Sequence, residues 1–118
     1  MSDIITINQD LTDNILALKK AVNTLLTRAT DKADALGAYE KKLAITMLEL
    51  KNGKVIDFEG TEVSFSSATG LEKIAKGVCY KESIALDLAE SKFRSLQIAI
   101  NSYQTVINAL QSQLKYVE

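Results

Sequence analysis

The residue types that carry most protein chemistry are nearly missing from this sequence. Its 118 residues contain no histidine and one cysteine, Cys79. Without imidazole there is no histidine general base, no triad built on one and no histidine metal ligand. One thiol cannot close an intrachain disulfide or a cysteine-cluster zinc site. With no histidine to activate it, Cys79 is expected to be a buried structural thiol beside Ala75 and Val78. Asp31 with Asp34, and Asp57 with Glu59 and Glu62, are small carboxylate groups whose spacing matches no metal-binding loop. They read as solvated surface. No metal, no cofactor and no catalytic residue is expected, and the protein is read as not an enzyme.

Charge narrows the choice further. The chain has 14 Lys+Arg against 15 Asp+Glu, a net charge of −1, whereas a dedicated non-specific DNA binder carries a basic excess. The lysines nevertheless fall in pairs. Lys51, Lys54, Lys73, Lys76 and Lys81 bracket the middle of the sequence and are the candidate phosphate contacts. Two features oppose that role: Asp57, Glu59 and Glu62 lie among them, and no aromatic side chains interleave as stacking platforms.

The elements that must position these residues are helical. There is no proline, there are five glycines, and 47% of residues are hydrophobic, a composition suited to long uninterrupted helices. From Leu11 to Leu50, steps of four and three pick out twelve positions, of which ten are apolar; Lys32 and Thr46 are the exceptions. That spacing predicts a coiled-coil helix over 8–52, capped by Asn8 or Asp10 and stopped by Asn52-Gly53. A second run, Leu86, Ala89, Phe93, Leu96, Ile100, Tyr103, Ile107, Leu110, Leu114 and Val117, predicts a helix over 70–117. Glu82 interrupts this register, and Thr69 with Glu72 forms a capping box ahead of it. Tyr39 and Tyr103 occupy seam positions, whereas Tyr80 and Tyr116 lie off the seam as surface contacts.

Residues 54–66 read as a β-hairpin or a loop. A two-residue turn at Gly60-Thr61 would oppose Phe58 to Val63 and Ile56 to Phe65, giving one apolar face able to pack or dock. The fold class expected is therefore mainly α. Two long antiparallel coiled-coil helices are joined by a small β-hairpin in a single domain, 1–118, that assembles into a helical-bundle oligomer.

The oligomer is expected because apolar residues exceed one seam per helix. Leu26, Ile45, Met47 and Leu48 lie outside it, as do Leu71, Ile74, Val78, Ile84, Leu88, Ile98 and Val106. No charged residue occurs from Ser95 to Leu114, and Gln97, Gln104 and Gln111 recur every seven residues beside the seam. A neutral helix edged by glutamines suits the interior of a multi-chain bundle. The homo-oligomer interface is placed at Phe93, Leu96, Ile100, Tyr103, Ile107, Leu110 and Leu114. The same stretch holds too many amides and hydroxyls to enter a bilayer, so no membrane partner is expected. Residues 1–10 show no basic segment followed by an apolar run, so no secretory leader is expected, and a cytoplasmic setting follows.

Three stretches carry a family resemblance: YEKKLAITMLELKNG, LEKIAKGVCYKESIALDLAESKF and the ending INALQSQLKYVE. Over about residues 36–118 the chain resembles small helical proteins of phages and prophages of Gram-positive bacteria. Its most specific piece is Leu110-Gln111-Ser112-Gln113-Leu114-Lys115. Genes for such proteins lie in the early region near single-strand annealing and single-strand-binding proteins. The resemblance implies a setting in phage DNA recombination or replication, or in host takeover, and supplies no catalytic residue. The expected function is a non-enzymatic oligomeric accessory protein that binds single-stranded DNA or a phage or host DNA-metabolism protein. The alternatives are a protein-interaction module that inhibits a host or defence enzyme, and a structural phage component.

Overall fold

The computed structural model describes residues 4–64 and 70–117. Its elements run α1 (Ile4–Lys51), β1 (Ile56–Phe58), β2 (Thr61–Val63), α2 (Leu71–Val78) and α3 (Tyr80–Val117). The protein is mainly helical, as expected. Among the described residues no helix is long and apolar enough to cross a membrane. By its internal contacts the chain divides into two compact units: Met1–Thr30 with Ser91–Glu118, and Asp31–Glu90.

In the first unit, α1 begins four residues ahead of its expected start. Asn8 and Asp10 lie inside the helix and do not cap it, and the Asn14 side-chain amide donates to the Asp10 carbonyl at 2.8 Å. The added turn buries Ile7, which is 2% exposed, and helix length in proteins is set chiefly by such packing. The covered stripe runs Ile7, Leu11, Asn14, Leu18, Ala21, Leu25 and Arg28. Ala21 is buried where the apolar spacing nominated Val22, which is half exposed. A small side chain at the seam lets helices approach closely, and a straight helix drifts against a strict seven-residue repeat. On α3 the expected register holds: Phe93, Leu96, Ile100, Tyr103 and Leu114 are half-buried, while Ile107 and Leu110 are buried.

The second unit holds the rest of α1, the hairpin, α2 and the first turns of α3. Here too an alanine, Ala35, is covered where Leu36 was expected. Lys42 meets Glu82, and Thr46 meets Cys79, so one helix climbs as the other descends and the two are antiparallel. The helix expected over 70–117 is two helices. Cys79 alone leaves the helical region, at φ −92° and ψ 20°. Its amide still reaches the Ala75 carbonyl and its carbonyl still receives Ser83, both at 3.0 Å. The fully buried Cys79 is held at this break, two residues after Gly77, a weak helix former by about 1 kcal/mol against alanine. Gly70 is the N-cap of α2, without a side-chain cap. The Thr69 of the expected capping box lies outside the described residues.

The hairpin register differs from the expected one. Ile56 pairs with Val63, Asp57 with Glu62 and Phe58 with Thr61. The turn is Glu59-Gly60, both with positive φ (52° and 83°), the type I′ geometry whose twist suits a two-residue hairpin. The Gly60 amide donates to Asp57 Oδ1 at 3.1 Å, which holds the turn one residue earlier than Gly60-Thr61 would place it. Because pairing shifts by two residues, the faces are conserved: Ile56, Phe58 and Val63 are half-buried, and Asp57 and Glu62 are exposed. Phe65 lies outside the described residues.

At its C-terminus α1 closes in a Schellman motif. The Lys54 amide reaches the Glu49 carbonyl at 2.9 Å, the Gly53 amide reaches Leu50 at 3.0 Å, and Gly53 has φ +87°. Space around Gly53 is open, so a side chain there meets no clash and the cost is purely conformational. Gly53→Ala is expected to destabilise the protein by about 1 kcal/mol in chemical denaturation, with the helical circular-dichroism signal unchanged at low denaturant.

Candidate functional site

The hairpin is fastened to the helices by one aromatic residue. Tyr80, first in α3, stacks edge-on against Phe58 with ring centroids 5.7 Å apart. Its hydroxyl donates to Glu59 Oε1 at 2.5 Å. Both ends of the tyrosine are used, the apolar ring and the polar tip. That hydrogen bond to the carboxylate holds the Tyr80 phenol above its ordinary value.

Between hairpin and helices lies a cleft of about 340 Å³. Its apolar lining comes from Ile45, Ile56, Phe58 and Val78, and its charged rim from Lys42, Glu49, Asp57, Glu59 and Lys81. Ile45 is 45% exposed, and Val55, next to the cleft in sequence, is 51% exposed.

Thr46, which lines the cleft, belongs with the most buried residues of the unit. Leu50, Ala75 and Cys79 are fully closed from solvent, and Thr46 is buried with its hydroxyl 3.7 Å from the Cys79 sulfur. Lys42 and Glu82 form an ion pair at 2.8 Å beside this layer. The other carboxylate oxygen of Glu82 is covered and takes no hydrogen bond. The hydrogen bond from Lys42 draws the Glu82 carboxyl below its ordinary value against a desolvation cost, and the same bond raises Lys42.

The five candidate lysines all belong to this unit, and all are exposed. Lys54 is taken by Glu49 at 3.3 Å and Lys76 by Glu72 at 2.9 Å, a contact that raises the Lys76 ammonium. Lys51, Lys73 and Lys81 have no ion-pair partner among the described residues. Residues 31–90 carry eight lysines against eleven carboxylates, so the unit that presents them is acidic. The candidate oligomer residues Phe93, Leu96, Ile100, Tyr103, Ile107, Leu110 and Leu114 form the covered stripe of α3 in the other unit. Within one chain Ile107 and Leu110 are buried and the other five are half-buried. The hairpin residues Ile56, Phe58 and Val63 share one half-buried face.

Three residues that matter here carried weak signals. Tyr80 was off the seam. Glu82 looked like a break in it, and Lys42 looked like one of a solvated pair. A charge at a seam position facing an opposite charge on the neighbouring helix is the pattern that would have joined the last two. Among the described residues no group of His, Cys, Asp or Glu side chains could hold a metal ion.

No family model, no curated protein and no solved structure matches this chain.

The Lys42–Glu82 pair makes a pH prediction. A carboxyl whose value is depressed on folding contributes stability above its ordinary value of 4.5, and loses it as pH falls through the folded value. Glu82→Gln should therefore be less stable than the native protein at neutral pH, with the gap closing as the pH falls below the ordinary carboxyl value of 4.5. Denaturant midpoints from neutral pH down through that value read it directly; a gap independent of pH would mean the pair contributes nothing through its charge.

Proposed function

We propose that the protein is a non-enzymatic accessory factor that works through protein contacts as a coiled-coil homo-oligomer, with the hairpin cleft as its docking surface. The observation that carries this reading is the cleft itself. A cleft lined by apolar side chains and by charges of both signs has the mixed composition of a protein-contact site. The coiled-coil assignment rests on the covered stripes of α1 and α3, stepped in threes and fours. Assembly is supported by the apolar residues outside them: seven hydrophobic side chains are buried among the described residues, while fifteen large ones are exposed.

The setting in phage DNA recombination or replication rests on the sequence resemblance. Within it, a DNA-bound protein fits the site better than DNA does, because two of the five lysines are neutralised locally and the surrounding unit is acidic. Inhibition of a host or defence enzyme would use the same cleft and is the second form of this reading.

The test compares two kinds of binding. Anisotropy of a labelled single-stranded oligonucleotide should stay flat at ~50 and ~200 mM salt, whereas several phosphate contacts would change affinity by orders of magnitude over that range. Partner capture from infected cells should be lost in Ile45→Asp, which changes an exposed cleft residue and leaves the fold intact. Salt-sensitive DNA binding that disappears in Lys51→Glu/Lys73→Glu would instead return the function to the lysines.

A further inference from the structure

The two units treat a half-buried charge differently. In the hairpin unit Glu82 is answered by Lys42 at 2.8 Å. In the other unit the covered stripe of α1 ends at Arg28, which is half-buried and has no ion pair or hydrogen bond among the described residues. A charge drawn away from water is costly unless an opposite charge meets it. Arg28 lines an open groove of about 400 Å³ between α1 and α3. From α3 the groove receives Lys92, exposed and equally without an ion pair among the described residues, and the hydroxyls of Ser91 and Ser95. Thr24 beside Arg28 is already engaged, its hydroxyl donating to the Lys20 carbonyl at 3.0 Å. Among the described residues no carboxylate lines the groove. The surrounding charge has the same sign. Of the chain's 14 Lys+Arg and 15 Asp+Glu, eight and eleven fall in residues 31–90, which leaves six and four for this unit.

We propose that this groove binds a phosphomonoester, presented by a partner protein as a phosphorylated side chain. The donor set selects the group. A guanidinium fork spans two oxygens at once, and the Lys92 ammonium and two serine hydroxyls are free to donate to the third. Two positive charges match a phosphomonoester, which carries about −1.5 to −2 at neutral pH. A carboxylate or a phosphodiester brings a single charge and would leave one cation unanswered. The rest of the lining indicates what carries the phosphate. No aromatic side chain lines the groove to stack a base, and an open groove does not enclose a small molecule as a ligand pocket does. Leu96 and Ala99 instead add an apolar strip against which a peptide segment can lie. The groove shares no residue with the hairpin cleft and belongs to the other unit, so it is a second contact with its own chemistry.

Heteronuclear NMR on the full chain tests this, with a short, blocked, otherwise neutral peptide carrying one phosphoserine as the probe. The amide signals of Ser91, Lys92 and Ser95 should shift on titration, and the unphosphorylated peptide should shift none of them. Binding should weaken severalfold as the pH falls through about 6, where the phosphate becomes a monoanion; the chain has no histidine to titrate there. Lys92→Gln, at an exposed position, should weaken binding about tenfold. Arg28→Met should abolish binding yet unfold at no lower denaturant concentration than the native protein, because the charge it removes has no partner within the chain. Ile45→Asp should bind the peptide as the native protein does, which separates this site from the cleft. Absence of shifts, native affinity in Lys92→Gln and Arg28→Met, or a marked loss of stability in Arg28→Met would overturn the site. Equal affinity for inorganic phosphate or for a nucleoside monophosphate would overturn the protein source of the phosphate.

Discussion

The buried group of Thr46, Leu50, Ala75 and Cys79 is the packing on which the hairpin unit depends. Three of the four side chains are small, and Leu50, Ala75 and Cys79 are wholly closed from solvent. A two-stranded hairpin has little stability of its own. It needs a fixed wall to lean on, and these buried residues belong to that wall. Full burial of Leu50 alone is worth about 1.5–3 kcal/mol. The one-residue break falls at buried Cys79, and α3 starts at Tyr80, whose ring meets Phe58. Packing, break, stacking and cleft thus meet in one unit.

Much of this was legible in the residues. The step of three and four located the covered stripe of α3 nearly residue by residue, because its apolar side chains are large and leave one orientation that buries them together. On α1 the same method placed Val22 and Leu36 in the seam, where Ala21 and Ala35 are covered instead. Hydrophobicity ranks valine and leucine above alanine, but a helix pair selects on size as well, and a small residue permits the closer approach. The hairpin turn was misplaced for a related reason. Glycine at the first turn position is one solution, yet Glu59 accepts a left-handed conformation once Asp57 holds the Gly60 amide. A local hydrogen bond outweighed a backbone preference, and no periodicity reports that.

Charge divides the chain more sharply than its net value suggests. Residues 31–90 hold eleven of the fifteen carboxylates, and the long neutral run from Ser95 falls in the other unit. Ion pairs in the first of these regions are mostly exposed and individually weak. The Lys42–Glu82 pair differs because one carboxylate oxygen is covered. Such a group is costly unless its counter-charge is present, so the pair ties the position of Lys42 on α1 to that of Glu82 on α3. The lysines first considered for phosphate contact belong to this balance, and two of them serve it by engaging Glu49 and Glu72.

Exposed apolar residues scattered singly need no explanation in a folded protein. Here fifteen large ones are exposed among the described residues, and their alignment along helix faces matters as much as their number. A helix offers its neighbours a stripe, and α3 has two: one of large side chains covered by its own chain, one of small side chains from Ser95 to Ser112 with a single isoleucine, Ile98, and no charge. Solubility alone would favour lysine and glutamate on the second stripe, as on most exposed helix faces. Hydroxyls and alanines there keep the surface wettable while allowing a backbone to come near. Neither property requires the other, and together they leave that face open while the large side chains are covered within the chain.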